Sequence, residues 1–138
     1  MAKAYDRVDW DYVEKAFQKL GSQNRWTDWV MECIRTVKYS VCLNGQLLES
    51  ISPTRGLRQG DPLSPYIFLL VVEGLSTLIN KEIADGRLQE LHISRHALGI
   101  SHLLFADDSL LFVKANEQQA QIVKNILNIY EKKHWSVN

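Results

Sequence analysis

Asp107 and Asp108 sit side by side between two apolar runs, Leu103-Leu104-Phe105-Ala106 and Ser109-Leu110-Leu111-Phe112-Val113. Like charges this close disfavour each other's ionisation. Two carboxylates at the turn of an apolar hairpin are therefore unfavourable unless something offsets their repulsion. A divalent cation does so, and carboxylate oxygen is the donor Mg²⁺ prefers. Two such ions about 4 Å apart serve nucleotidyl transfer: one activates the attacking hydroxyl, the other steadies the leaving pyrophosphate. An Asp-Asp pair is also an ordinary turn between strands, because Asp is common in turns, so the dipeptide alone leaves both readings open. No catalytic His or further carboxylate pair lies near, which argues against an unrelated metal-dependent hydrolase. His92, His96, His102 and His134 form no metal-ligand spacing and read as surface or hairpin-edge residues. Cys33 and Cys42 form no CxxC pair and read as reduced thiols.

The elements that must position these residues follow from periodicity. Trp10, Val13, Phe17 and Leu20 fall on one face of a helix. Asp11 with Glu14 resembles a capping box at its start, and Gly21 is a stop signal at its end. A second helix is expected from about Trp26 to Val37, with Trp26, Trp29, Val30, Cys33, Ile34 and Val37 on one side. Trp10, Trp26 and Trp29 read as core rather than as base-stacking platforms. Tyr39, Val41 and Leu43 then alternate with polar or small residues up to Asn44-Gly45, after which come Leu47, Leu48 and Ile51. An Asn-Gly between two apolar runs marks a hairpin.

All three prolines lie between Pro53 and Pro65 and divide the chain. Arg55 to Pro65 reads as a loop, with a helix starting near Pro62 or Pro65 and ending by Gly86. A second tight hairpin covers His102 to Val113. A last helix spans Glu117 to about Lys133, with Ile122, Ile126, Ile129 and Tyr130 as its buried stripe. The order predicts an α+β fold, an antiparallel sheet with helices packed on one face.

The chain has 138 residues, room for a single domain, and 46% of them are apolar, enough for a real core. Its 16 basic and 16 acidic residues cancel. A self-sufficient nucleic-acid binder usually shows a basic excess, so any such binding here is local or needs further basic segments. No signal pattern opens the chain, and the apolar stretch from Tyr66 to Val72 is too short to span a bilayer. An intracellular, soluble protein without a membrane partner is expected, with nucleus and cytoplasm unresolved.

Three segments resemble one family. Arg55 to Phe68, RGLRQGDPLSPYIF, looks like the reverse transcriptase segment in which Gln-Gly precedes a Pro-x-Ser-Pro helix start. FADD followed by Ser-Leu-Leu-Phe looks like that family's metal-binding hairpin. Lys3-Ala4-Tyr5-Asp6-Arg7-Val8 resembles the end of its first carboxylate motif. The order and spacing match across essentially the whole chain, with the flavour of non-LTR, LINE-type retrotransposons. The resemblance implies a partial polymerase palm, with fingers incomplete and thumb absent, spanning 1–138 as one domain. It implies an RNA-directed DNA polymerase acting on an RNA template, a DNA primer and deoxynucleoside triphosphates, with two Mg²⁺ ions. Carried over residue by residue, Asp107 and Asp108 become the catalytic metal ligands. Gln59 and Gly60 become the loop over the incoming nucleotide. Tyr5 becomes the aromatic under the sugar, excluding a 2′-hydroxyl, and Ala106 the small position near the primer end.

The sequence departs from the family at both ends. The family's third metal ligand lies four residues before the Ala of the Ala-Tyr pair. Counting back from Ala4 lands one residue before Met1. Asp6 matches a different acidic position and is expected to be structural, capping the helix that follows. Val137-Asn138 resembles only the beginning of the family's next strand. A truncated chain with little or no polymerase activity is the expectation. The alternative is an inactive retrotransposon remnant that at most binds nucleic acid or protein.

Overall fold

The computed structural model describes residues 2–94, 97–105 and 108–134. Among them the chain is a mixed α+β fold with the elements α1 (Ala2–Tyr5), α2 (Trp10–Lys19), α3 (Asn24–Arg35), β1 (Cys42–Leu43), β2 (Gln46–Leu47), α4 (Ser64–Ala84), β3 (His102–Phe105), β4 (Asp108–Leu111) and α5 (Glu117–His134). The expected α+β class holds. The expected single sheet does not, since β1–β2 and β3–β4 are separate two-stranded antiparallel ribbons. Each ribbon pairs strands adjacent in sequence, so local turns decide the partners. The chain falls into two compact units, Ala2–Phe68 and the part from Leu69 onward, and each is described by itself.

In the first unit α2 packs on α3. Val13 of α2 and Val30, Met31 and Ile34 of α3 are buried, each worth roughly 1.5–3 kcal/mol relative to exposure. The cap of α2 is Asp9, whose carboxylate accepts from the Tyr12 backbone N–H at 2.9 Å. Asp11 and Glu14, expected as a capping box, instead bind the Arg35 guanidinium at 3.2 and 2.8 Å. Asp6 does not cap the helix either. Gly21, with φ +76°, follows α2 as expected. Of the three tryptophans expected in the core, Trp10 is half-buried, while Trp26 and Trp29 are 52% and 56% exposed. The buried seam of α3 runs through Thr27, Val30, Met31 and Ile34, and Trp26 and Trp29 fall beside it. Arg25 lies over the Trp29 ring, 4.8 Å from its centroid.

The Asn-Gly hairpin forms as read. Asn44 and Gly45 both take positive φ, 50° and 81°, the backbone a two-residue hairpin turn demands. Cys42 pairs Leu47, Leu43 pairs Gln46, and Tyr39 bridges Ile51.

In the second unit the core is Leu75 and Ile79 of α4, Leu88 beyond the end of α4, and Ile126 of α5, with Leu104, Leu111 and Tyr130 packed against it. The stripe expected on α5 is only partly buried, since Ile129 is 43% exposed. Buried Gln119 spends both ends of its amide on backbone: Oε1 accepts from Gln89 N–H at 3.0 Å and Nε2 donates to Arg87 C=O at 2.7 Å. No described helix is long and apolar enough to cross a membrane.

Candidate functional site

The loop from Arg55 to Asp61 is laid against the start of the chain by backbone hydrogen bonds. Leu57 N–H donates to Tyr5 C=O and Gly56 N–H to Val8 C=O, both at 2.8 Å. The Trp10 indole Nε1–H donates to Gly56 C=O at 2.7 Å. Such an approach needs glycine at 56. Its φ is +91°, and a Cβ there would sit 2.9 Å from the Asp6 carbonyl oxygen. Leu57 is buried and anchors the loop from below. The far end is closed by Asp61, whose carboxylate accepts from Leu63 N–H at 2.8 Å and leads into α4.

Between these anchors stand Gln59 and Gly60. Gln59 is exposed. Gly60 takes φ +84°, with open space where a side chain would begin, so a ligand can approach the backbone closely there. Tyr5 is half-buried, and its ring stacks on Phe68 with centroids 4.8 Å apart and planes 11° from parallel. One face of Tyr5 packs, and part of the residue remains accessible. The structure therefore links Tyr5 to the Gln59-Gly60 loop through Leu57. Beside this loop is an open cleft of about 560 Å³ whose lining includes Asp6, Arg55, Arg58 and Gln59. A smaller concavity near the loop, of about 20 Å³, accommodates roughly one water.

The second part of the expected site belongs to the other unit. β3 and β4 pair Leu103 with Leu110, Leu104 with Ser109 and Phe105 with Asp108. Leu104 is half-buried and faces the core, while Leu103 and Phe105 are exposed. The His102 ring hydrogen-bonds the hydroxyls of Ser76 on α4 and Ser101, fastening the start of β3 to α4. His102 is thus a partly buried linking residue rather than an edge one. Asp108 opens β4 and is exposed. Ala106 and Asp107 lie outside the described residues, as do His96 and Val137-Asn138.

Asp108 brings a hard oxygen donor of the kind Mg²⁺ takes. Among the described residues no group of three or more His, Cys, Asp or Glu side chains could hold a metal ion. The donor type fits the ion expected from the sequence, and the described donor number falls short of a closed site. Reading the sequence missed Arg55 and Arg58, the cations of the cleft. Their signal was available in Arg-Gly-Leu-Arg, two arginines either side of an apolar anchor, but a neutral charge total hid it.

A family model described as "Reverse transcriptase (RNA-dependent DNA polymerase)" matches residues 1–138. The chain is 46% identical over 78 residues to an uncharacterized mitochondrial protein of Arabidopsis thaliana, a match covering 51% of this chain and 64% of that one. It is 31% identical over 109 residues to a retrovirus-related Pol polyprotein from a type-1 retrotransposable element R2 of Popillia japonica, covering 79% of this chain and 17% of the polyprotein. A retrovirus-related Pol polyprotein from a type-2 R2 element of Drosophila melanogaster is 30% identical over 114 residues, covering 83% and 10%. The chain thus spans under two-thirds of the plant protein and a small fraction of either polyprotein.

Proposed function

This chain belongs to the reverse transcriptase family, and on that premise we propose that it is part of the palm of a retrotransposon RNA-directed DNA polymerase. The reaction is attack of a primer 3′-hydroxyl on the α-phosphorus of a deoxynucleoside triphosphate, with release of pyrophosphate. The observation that carries this reading is the loop geometry. Gln59 lines an open cleft and exposed Gly60 follows it, on a loop whose backbone is bonded to Tyr5 through Leu57, an arrangement suited to a surface over an incoming nucleotide.

Gln59 offers a side-chain amide and Gly60 an approachable backbone, able to hydrogen-bond the sugar and phosphates. Tyr5, held by its stack on Phe68, would take the sugar and leave no room for a 2′-hydroxyl. Ala106 would keep bulk away from the primer end. Asp107 and Asp108 would hold Mg²⁺, which when bound supplies positive charge where the transferring phosphoryl group gathers negative charge.

The test is primer extension on an RNA template. One polypeptide is residues 1–138; the other is the longer product read in frame from upstream of the Met1 codon. The first is expected to extend a primer barely or not at all, because residues 1–138 do not include the position of the family's third metal ligand. Mg²⁺-dependent extension by the second should fall at least about a hundredfold with Asp107→Ala, since removing such charge stabilisation costs on that order. Extension by neither, with RNA template still bound, would leave the inactive binding module.

A further inference from the structure

Two arginines line the cleft beside Gln59, and neither has a side-chain partner among the described residues. Elsewhere the guanidinium groups are used: Arg25 lies on Trp29, while Arg35 and Arg87 each bridge two carboxylates. Arg55 and Arg58 make no ion pair or side-chain hydrogen bond among the described residues, though both are exposed and both line the same concavity. Two acidic residues are in this neighbourhood. Asp6 is exposed and lines the cleft, and Asp61 has one carboxylate oxygen committed to Leu63 N–H.

The backbone between the arginines is the most firmly held part of the loop. Gly56 and Leu57 are hydrogen-bonded to Val8 and Tyr5, and Leu57 is buried. The two cations are therefore carried three residues apart on a fixed support. A concave surface with an excess of one charge sign focuses its field on the opposite charge, and in this lining two guanidinium groups outweigh the one carboxylate of Asp6. The guanidinium fork matches phosphate oxygens in pairs.

We infer that Arg55 and Arg58 form a phosphate-binding pair at this cleft, taking the anionic oxygens of a phosphate chain next to Gln59. Two sources share that chemistry: the polyphosphate tail of a nucleotide and the backbone of a single strand. The inference deepens the proposed polymerase reading and rests on it in expecting the nucleotide. The neutral total of the chain is no objection, because the other arginines placed above are matched locally and these two are not.

The experiment is titration calorimetry of the full 138-residue chain with three probes: inorganic tripolyphosphate, a deoxynucleoside triphosphate and a short single-stranded RNA. Each is repeated with Arg55→Gln, Arg58→Gln, the double variant and Arg58→Lys. Tripolyphosphate and the nucleotide are expected to compete for one site. Binding should weaken about tenfold or more in each Gln variant, less in Arg58→Lys, and steeply with added salt in the parent. Circular dichroism of the variants should match the parent, since both side chains are exposed. Binding of RNA alone, lost in the same variants, supports the pair and assigns it to a strand backbone. Unchanged affinity in the double variant, or no binding of any probe by the parent, overturns the inference. The polymerase reading fails separately: phosphate binding that depends on both arginines, with no primer extension by either polypeptide, keeps the pair and removes the polymerase. Primer extension with the same nucleotide KM in parent and double variant does the reverse.

Discussion

At Gly56 the backbone takes a left-handed φ of +91° while passing within van der Waals range of Asp6. Both conditions penalise a side chain. A non-glycine residue in that region costs about 1–2 kcal/mol, and forced overlap with backbone adds about 1–3 kcal/mol. Gly56→Ala is expected to lower stability by about 2–4 kcal/mol in urea unfolding. Gly21 makes the comparison, with φ +76° and nothing within 4 Å of a Cβ; Gly21→Ala should lose only the conformational part, about 1 kcal/mol. Equal losses would mean that the approach to Asp6 does not constrain the loop. At this scale the sequence was read unevenly. A motif singled out Gln59 and Gly60, and both are exposed. Arg55 and Arg58 were not singled out, because a charge total cannot tell a paired guanidinium from a solitary one. The tryptophans at 26 and 29 misled, since apolar character at helical spacing was taken as burial while Thr27 and Met31 carried the seam.

The helix caps belong to the scale of elements. Asp9 and Asp11 lie two residues apart at the start of α2, and sequence alone favoured the second because Glu14 follows it at capping-box spacing. The structure uses Asp9 for the backbone and leaves Asp11 in an exposed ion pair with Arg35. Asp9→Ala should therefore destabilise by about 1 kcal/mol. Asp11→Ala should change stability by less than about 0.5 kcal/mol, as exposed pairs contribute little. Thermal unfolding of the two variants decides it, and a larger loss at Asp11 would reverse the assignment. The hairpins were the most legible elements. Asn44-Gly45 fixes the first through positive φ at both positions, and two apolar runs mark the strands of the second, whose burial, unlike its residue types, alternates along β3. Their failure to join one sheet was not legible, because pairing beyond a tight turn leaves no local mark in the residues.

For the whole molecule, charge balance and exposed apolar surface act together. The sequence pI is about 6.9, so near neutral pH little net repulsion keeps copies apart. Both ribbons are two-stranded among the described residues, and such edges offer unpaired N–H and C=O groups to a neighbour. Solubility should pass through a minimum near pH 7 and rise on moving about two pH units either way, measured as protein left in the supernatant. A minimum placed elsewhere would show that ribbon edges, not net charge, control association. Fold class and element order were within reach of the sequence here, since periodicity and turn chemistry are local. The proline cluster from Pro53 to Pro65, read as dividing the chain, lies just before the boundary between the two compact units at Phe68 and Leu69.

The bond from the Trp10 indole to Gly56 joins residues 46 positions apart. As the chain leaves a ribosome, α2 is complete long before its partner in that bond exists. The loop that shapes the cleft is therefore a late closure, since its loop entropy is met only once most of the first unit has been synthesised. Until then Tyr5 and Val8 present carbonyls with no loop to receive. A pause in translation between codons 20 and 55 would hold the nascent chain in that open form, so the tempo of synthesis bears on whether the cleft is ever made.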